Sequence, residues 1–168
     1  QCFQDYSNFE AIQVDFGKND IQMLTEKNFD TITCFNVLEH IEDDYAALKD
    51  MQSILKPHHG TLCLQVPAHP WLYGSLDEQA GHYRRYTIDD VKEKLEKTGY
   101  EPIKIYYFNI FGVLPWLISA RLLKRPLEAG SVNLQVKVFN ALVPIFSRVE
   151  KIVRLPIGQS IMAIATVK

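Results

Sequence analysis

The stretch FDTITCFNVLEH, residues Phe29–His40, decides the fold. Its first part, Phe29–Val37, carries apolar residues on both faces, which is typical of a buried strand in a parallel sheet. Asn36 lies at the end of this strand, and Glu39 and His40 follow directly. Because ligands bind beyond the carboxyl ends of parallel strands, the pattern predicts polar groups placed to contact a ligand.

Two helices are predicted after this strand. The first runs from about Tyr45 to Leu55, with apolar residues at helical spacing and Asp43 or Asp44 as its N-cap. Thr87 caps the second, which covers about Ile88–Lys97 and is stopped by a glycine two residues beyond its end. Between them, the polar and aromatic residues 67–86 show no periodicity and are predicted to form a loop.

Strands that alternate with helices predict an α/β fold with a mostly parallel, Rossmann-like sheet. The last strand is expected to be antiparallel to its neighbour, because a helical insert separates the two. The chain is then one partial domain, with core strands and helices over 1–109, the insert over 110–158 and the last strand over 159–168. The remaining predicted strands are Ala11–Asp15, Thr61–Val66, Pro102–Phe108 and Ser160–Val167.

Composition narrows the function classes. The chain of 168 residues has a net charge of −2, so no overall positive field recruits nucleic acid. Its three cysteines form no CxxC pair, which favours reduced thiols in a cytoplasmic protein and predicts no metal site. No apolar run reaches the roughly 20 residues that a membrane-spanning helix needs.

The insert is apolar and basic. Its two segments, Phe111–Arg125 and Leu134–Leu155, are interrupted by Pro115 and Pro144 and each end in several Lys or Arg residues. Such segments can lie at an anionic membrane surface, so 110–125 and 139–155 are candidates for peripheral membrane contact. The alternative is that both segments pack over the sheet or form a homodimer contact.

The order of these motifs resembles the class I S-adenosylmethionine-dependent methyltransferase family. The VLEHI block at residues 37–41, the LKPHHG turn at 55–60 and the GY pair at 99–100 carry the resemblance, which covers roughly residues 10–109 and the last strand. It implies a Rossmann-like methyltransferase sheet from which the N-terminal strands are missing, and S-adenosyl-L-methionine as the cofactor.

The resemblance also implies positions for cofactor contacts. The acidic residue after the family's third strand accepts a hydrogen bond from adenine, and the next residue packs on the ring. These roles fall to Asp15 and Phe16, although Asp15 can also be read as a turn residue. The segment after the family's fourth strand lines the methionine part of the cofactor, and its residues here are Phe35, Asn36, Val37 and Leu38.

His40 is the candidate catalytic residue. It follows the strand that would face the cofactor, and an imidazole with a reference pKa near ~6.5 can accept a proton from a substrate hydroxyl. The alternative is a structural role as a local hydrogen-bonding group. Glu39 can equally cap a helix or support the scaffold.

The loop over 67–86 carries the candidate substrate contacts. Its GHYRRY stretch, residues 81–86, resembles a methyltransferase subgroup that includes quinone-biosynthesis-like members. The adjacent arginines can clamp a carboxylate or phosphate, and the remaining side chains can shape a pocket. In the alternative interpretation, one arginine pairs with Asp77 or Glu78 and fixes the loop. The candidate residues are Tyr73, His82, Arg84, Arg85 and Tyr86.

The family's glycine-rich cofactor loop has no counterpart, since the eight glycines contain no GxGxG. We therefore expect this chain alone to be inactive and its activity to belong to a longer parent protein. The predicted reaction is methyl transfer to an O or N nucleophile of a small acceptor, with lipid-linked and sugar-containing molecules as candidate acceptors. The alternative is a degenerate, non-catalytic module for interaction or membrane docking.

Overall fold

A computed structural model describes residue 10 and residues 12–16, 21–122, 141–146, 148, 150 and 156–168. Within them, four strands form one sheet in the order β1-β2-β4-β3. β1 pairs with β2 in parallel, from Thr31 opposite Thr61 to Phe35 opposite Gln65. β4 lies antiparallel to both β2 and β3. The strands are β1 (Thr31–Phe35), β2 (Thr61–Pro67), β3 (Tyr100–Phe108) and β4 (Ser160–Val167).

The predicted fold class is confirmed. β1, β2 and β3 run in one direction and only the last strand runs the other way, so the sheet is mostly parallel in direction although two of its three ladders are antiparallel. The carboxyl ends of β1 and β2 therefore lie at the same edge of the sheet. This edge carries the residues that follow Phe35 and Pro67.

The helices begin and end at the signals that the sequence carries. Asp43 caps α2 by accepting a hydrogen bond from the backbone N–H of Ala46. Thr87 and Asp90 form a capping box at the start of α4, and Gly99, with φ of +91°, follows its end. The helices are α1 (Gln22–Thr25), α2 (Asp44–Leu55), α3 (Ser75–Ala80), α4 (Ile88–Lys97) and α5 (Val113–Trp116), with short 3-10 turns at Leu38–His40, Lys56–His58, Pro70–Leu72 and Ile110–Gly112.

The main hydrophobic core lies between the sheet and the helices α2 and α4. The alternating residues of β2 and β4 and the apolar stripes of α2 and α4 supply most of its side chains. Cys34 of β1 belongs to this core, and burial raises the pKa of its thiol to about 11. A smaller cluster of Ile21, Leu24 and Ile54 joins α1 to α2.

The predicted strand Ala11–Asp15 is not borne out, because residues 12–15 form no strand and residue 11 lies outside the described residues. Ile12, Val14 and Phe16 are half-buried and pack against the small cluster, whereas Asp15 between them is exposed. The alternation of apolar side chains is therefore present, but a strand also needs a neighbouring backbone to bond with. In the described part of the chain, β1 is an edge strand and pairs only with β2.

The loop predicted over 67–86 contains a short helix, α3, as well as a 3-10 turn. Gly74 precedes α3 and donates its N–H to Asp77 Oδ2 at 3.0 Å, which satisfies a free donor at the helix start. Gly81 ends it with φ of +75°. Six residues are too few to show helical periodicity, so only the flanking glycines and the Asp marked this helix in the sequence.

The insert begins as predicted with helical structure. α5 continues as a π-helix over Leu117–Leu122, and residues 141–146 are also helical. Phe111 stacks on Phe146, with ring centroids 3.9 Å apart, so the two segments contact each other. The Glu150 carboxylate accepts the backbone N–H groups of Asn109 and Ile110. Residues 123–140 and 151–155, with most of the predicted basic positions, lie outside the described residues.

Candidate functional site

The first part of the site is the turn that leaves β1. Asn36 has φ of +52°, a conformation that costs most residues energy and that Asn tolerates better. Its N–H donates to Gln65 O at 3.0 Å, which holds the turn against β2. Phe35 and Val37 on either side are 47% and 43% exposed, whereas Leu38 is buried. Two of the predicted cofactor residues are therefore apolar and exposed at this turn, whereas Leu38 belongs to the core.

Phe16 packs against the main core, to which Cys34 and Leu38 belong, and is only partly buried. Asp15 is exposed. Phe16 and Ile32 of β1 pack against the same two clusters of buried residues.

Glu39 is a buried acid beside this turn. Its side chain is 1% exposed, and burial raises the pKa of its carboxyl group. Among the described residues, no donor lies within hydrogen-bonding distance of its Oε2. A buried carboxylate oxygen without a hydrogen-bond partner destabilises the folded protein.

Asp77 organises the loop after β2. Its Oδ1 accepts hydrogen bonds from Arg85 Nε and from His82 Nδ1, both at 2.8 Å, and its Oδ2 accepts the Gly74 N–H. Because a carboxylate only accepts, His82 must carry its proton on Nδ1 here, which leaves the lone pair on Nε2. Asp77 therefore fixes both the tautomer and the orientation of His82.

Arg85 is an interior residue, with a side chain 1% exposed. Besides Asp77, it donates to Ala68 O at 3.1 Å, and its guanidinium lies 4.6 Å from the centroid of the Trp116 ring. Burial lowers its pKa, and the Asp77 carboxylate opposes that effect. A pair between one arginine and Asp77 is the contact that the alternative interpretation of the loop predicts. Trp116 packs on this loop, and its Nε1 donates to Leu72 O.

His82, Glu39 and His40 meet at the carboxyl edge of the sheet. His82 Nε2 lies 4.0 Å from Glu39 Oε1, and the rings of His40 and His82 contact edge to face with centroids 4.6 Å apart. His40 is exposed, so the cluster reaches the surface. Ligand atoms of the three side chains lie within 4.8 Å of one another, which makes them the one set able to hold a metal ion among the described residues.

Arg84 and Tyr86 anchor the other end of the loop to α2. Arg84 bonds Asp44 Oδ2 at 2.9 Å and Glu42 O at 2.6 Å, and the Tyr86 hydroxyl donates to the same Asp44 oxygen at 3.0 Å. Lys94 bonds the second oxygen of Asp44. Burial alone would raise the pKa of Asp44, but these hydrogen bonds outweigh it and lower the pKa.

His69 is a residue of this edge that the sequence analysis did not single out. It has φ of +61°, stacks on Tyr107 with ring centroids 4.5 Å apart, and burial lowers its pKa. Its Nε2 has no hydrogen-bond partner among the described residues. The available signal was a histidine two residues after the end of β2.

Tyr73, a predicted substrate contact, donates its hydroxyl to His82 O at 2.8 Å.

A sheet with this strand order, open at one carboxyl edge, defines a Rossmann-like methyltransferase domain. A family model described as a methyltransferase domain matches residues 3–105, and the chain belongs to this family. The chain therefore carries a methyltransferase domain. No curated protein matches it.

Several solved structures are similar to the chain. A SAM-dependent methyltransferase from Archaeoglobus fulgidus is 18% identical, with a TM-score of 0.51 over 95% of this chain and 68% of that one. A phosphoethanolamine N-methyltransferase 2 from Haemonchus contortus, solved with S-adenosyl-L-methionine, is 20% identical, with a TM-score of 0.43 over 83% of this chain and 33% of that one. The chain thus spans two thirds of the first protein and one third of the second.

Proposed function

We propose that the chain binds the methyl donor against the turn after β1 and that, within the longer parent protein, the methyl group is transferred to an O or N nucleophile of a small acceptor. The observation that carries this proposal is the turn itself, where exposed Phe35 and Val37 flank Asn36 at the carboxyl end of a parallel strand. Exposed apolar side chains at such a position are suited to the adenosyl and methionine parts of S-adenosylmethionine.

The sulfonium of the bound cofactor supplies an electrophilic methyl group, so the protein's task is to position the acceptor and to accept its proton. His40 is exposed next to Val37 and is the group that we assign as the proton acceptor. Asp15 and Phe16 are the residues that we assign to the adenine. The buried pair of Asp77 and Arg85 serves to hold the loop that covers this edge.

For the acceptor, we propose a small molecule whose acidic or polar group lies near the loop surface. Tyr83 is 54% exposed and Arg84 lies 5.6 Å from the centroid of its ring. Arg84 is already bonded to Asp44 and Glu42, so only its remaining N–H donors would be available to bind the acceptor. Lipid-linked and sugar-containing molecules remain the candidate acceptors, and quinols and phenols belong in the same screen.

Ligand-observed NMR with S-adenosylhomocysteine tests the cofactor site, because it detects weak binding and the chain has no GxGxG. We expect saturation transfer to the adenosine protons. The Phe35→Ser, Val37→Ser double variant should abolish this saturation transfer. Ile103→Ser is the control and should not change it, because Ile103 is an apolar side chain on β3 that is 64% exposed. Equal saturation-transfer signals from both variants, or no signal from the unsubstituted chain, would contradict the proposal.

A second candidate function, a non-catalytic module that docks on membranes, is favoured by the insert. Leu114, Ile118 and Ile145 are 63%, 38% and 55% exposed there, and residues 101–168 carry nine Lys or Arg against three Asp or Glu. No helix in the described ranges is both long and apolar enough to cross a bilayer. Liposome flotation with anionic and neutral vesicles, using Leu114→Ser with Ile145→Ser, tests it. Equal flotation on both vesicle types, or on neither, would count against this candidate.

A further inference from the structure

We propose that Glu39, His40 and His82 form a binding site for a divalent transition-metal ion at the carboxyl edge of the sheet. Two imidazoles and one carboxylate are a ligand set that holds zinc and iron in other proteins. The three residues come from two segments, the 3-10 turn after β1 and the loop after β2. The sequence spacing alone did not bring them together, because His82 is distant in the chain.

The distances suit an ion. Ligands that each lie about 2.0–2.2 Å from a tetrahedral ion are separated from one another by about 3.3 Å. Here His82 Nε2 and Glu39 Oε1 are 4.0 Å apart, and the ligand atoms of all three side chains lie within 4.8 Å of one another. A small rotation of the exposed His40 ring and of the carboxylate would close this gap.

The buried carboxylate provides the second observation. Glu39 is 1% exposed, and its Oε2 has no partner in the part of the chain that the structure describes. The 4.0 Å separation from His82 is too long for a hydrogen bond, so the two side chains do not satisfy each other. A bound cation would compensate the charge of this buried carboxylate.

Asp77 prepares His82 for this role. By accepting the Nδ1 proton at 2.8 Å, it orients the ring and presents the Nε2 lone pair toward Glu39. A carboxylate behind a ligating histidine is the usual supporting arrangement in metal sites. Arg85 neutralises Asp77 by donating to the same oxygen, Oδ1, so the Glu39 carboxylate remains the negative charge that faces the ion.

The ligand set favours zinc, cobalt, manganese or iron over magnesium, which prefers oxygen ligands. Three protein ligands leave a coordination position open, and His40 brings that position to the surface. Once the ion is bound, His40 serves as a ligand rather than as the proton acceptor, so an acceptor oxygen that binds at the open position would release its more acidic proton to solvent. This last role rests on the proposed methyl transfer, whereas metal binding itself does not.

The test uses the whole chain, stripped with a chelator and titrated with Co²⁺ while the visible absorption of the ion is recorded. Zinc calorimetry and elemental analysis after dialysis give the stoichiometry. We expect one ion per chain, and a loss of affinity of more than about 100-fold in His40→Ala and in Glu39→Gln, because each removes a direct ligand. His40 is exposed, so its variant should fold, and circular dichroism verifies both.

His58→Ala is the matched control, because His58 is exposed, shares a hydrogen bond with Asn28 and is not one of the three proposed ligands. It should bind the ion as the parent chain does. Absence of stoichiometric binding, equal binding by His40→Ala, or binding that disappears only when the cysteines are alkylated would overturn the proposal. The titration contains no methyl donor. Its outcome therefore does not depend on whether the proposed methyl transfer is correct.

Discussion

The two segments that leave the carboxyl edge of the sheet differ in what they bury. After β1, the turn around Asn36 exposes Phe35 and Val37. After β2, the loop buries Asp77 and Arg85 and shields them with Trp116. The first segment has exposed apolar surface for a ligand, whereas the second is held by charged hydrogen bonds. The exposed apolar surface and the buried charged pair thus lie on neighbouring but separate segments.

The largest expected effect comes from breaking the buried pair. Arg85→Ala leaves the Asp77 carboxylate buried without its main partner, which typically costs about 3–5 kcal/mol. Urea unfolding followed by circular dichroism measures the loss. Lys92→Ala is the control, because the exposed pair of Lys92 and Glu96 should contribute little. Similar free energies of unfolding for the two variants would mean that the loop is not held by this pair.

The next effect should depend on pH. The hydrogen bonds to Asp44 lower its pKa, so their stabilisation is present above the unfolded value of about 3.9 and is lost as the pH falls through the folded value. Asp44→Asn should therefore destabilise the protein by about 1.5–3 kcal/mol at pH 7. The stability difference between this variant and the unsubstituted chain should become smaller as the pH falls. Thermal unfolding of the two proteins between pH 2 and 7, a range chosen to bracket about 3.9, shows whether the difference changes in this direction. A constant difference over that range would contradict it.

A smaller effect is expected from Tyr86→Phe. The variant keeps the buried ring but removes the hydroxyl that donates to Asp44 Oδ2, a loss of about 1 kcal/mol. Tyr83→Phe, at a ring 54% exposed, is the matched control and should be neutral. Denaturant unfolding of the two variants gives the comparison. If both are neutral, the anchor between the loop and α2 depends on Arg84 rather than on Tyr86.

The smallest effect on stability should come from the other segment. Val37→Ser removes an apolar side chain that is 43% exposed, so its free energy of unfolding should stay within about 0.5 kcal/mol of the parent value. Differential scanning calorimetry measures this. A larger loss would show that the turn after β1 contributes to the core, and the contrast between the two segments would fail.

The sequence predicted those elements whose signals are local. The capping box of Thr87 and Asp90 spans four residues, and the alternation in Ser160–Val167 lies within one strand. The predicted bounds of the helix Ile88–Lys97 and of the strand Ser160–Val167 therefore agree with the structure. The predicted helix over Tyr45–Leu55 begins one residue earlier, because Asp43 rather than Asp44 is the cap. The strand over Phe29–Val37 is shorter, because Asn36 turns away with a positive φ.

The site was less predictable, because its contacts join distant residues. The sequence indicated that the loop carries functional groups, but not that Arg85 would meet Trp116 or that Arg84 would reach Glu42. Burial distinguishes the two arginines, and burial depends on how the loop folds over the edge. For the same reason, the proximity of His40 to His82 could not be derived from spacing.

The thiol of Cys34 has a practical consequence. Because it is buried in β1 and its pKa is raised to about 11, an alkylating reagent will meet almost no thiolate there while the sheet is intact. Cys63, directly across the ladder from Thr33, is partly accessible and serves as an internal reference. The ratio of label on these two positions over time would report how often the edge strand detaches.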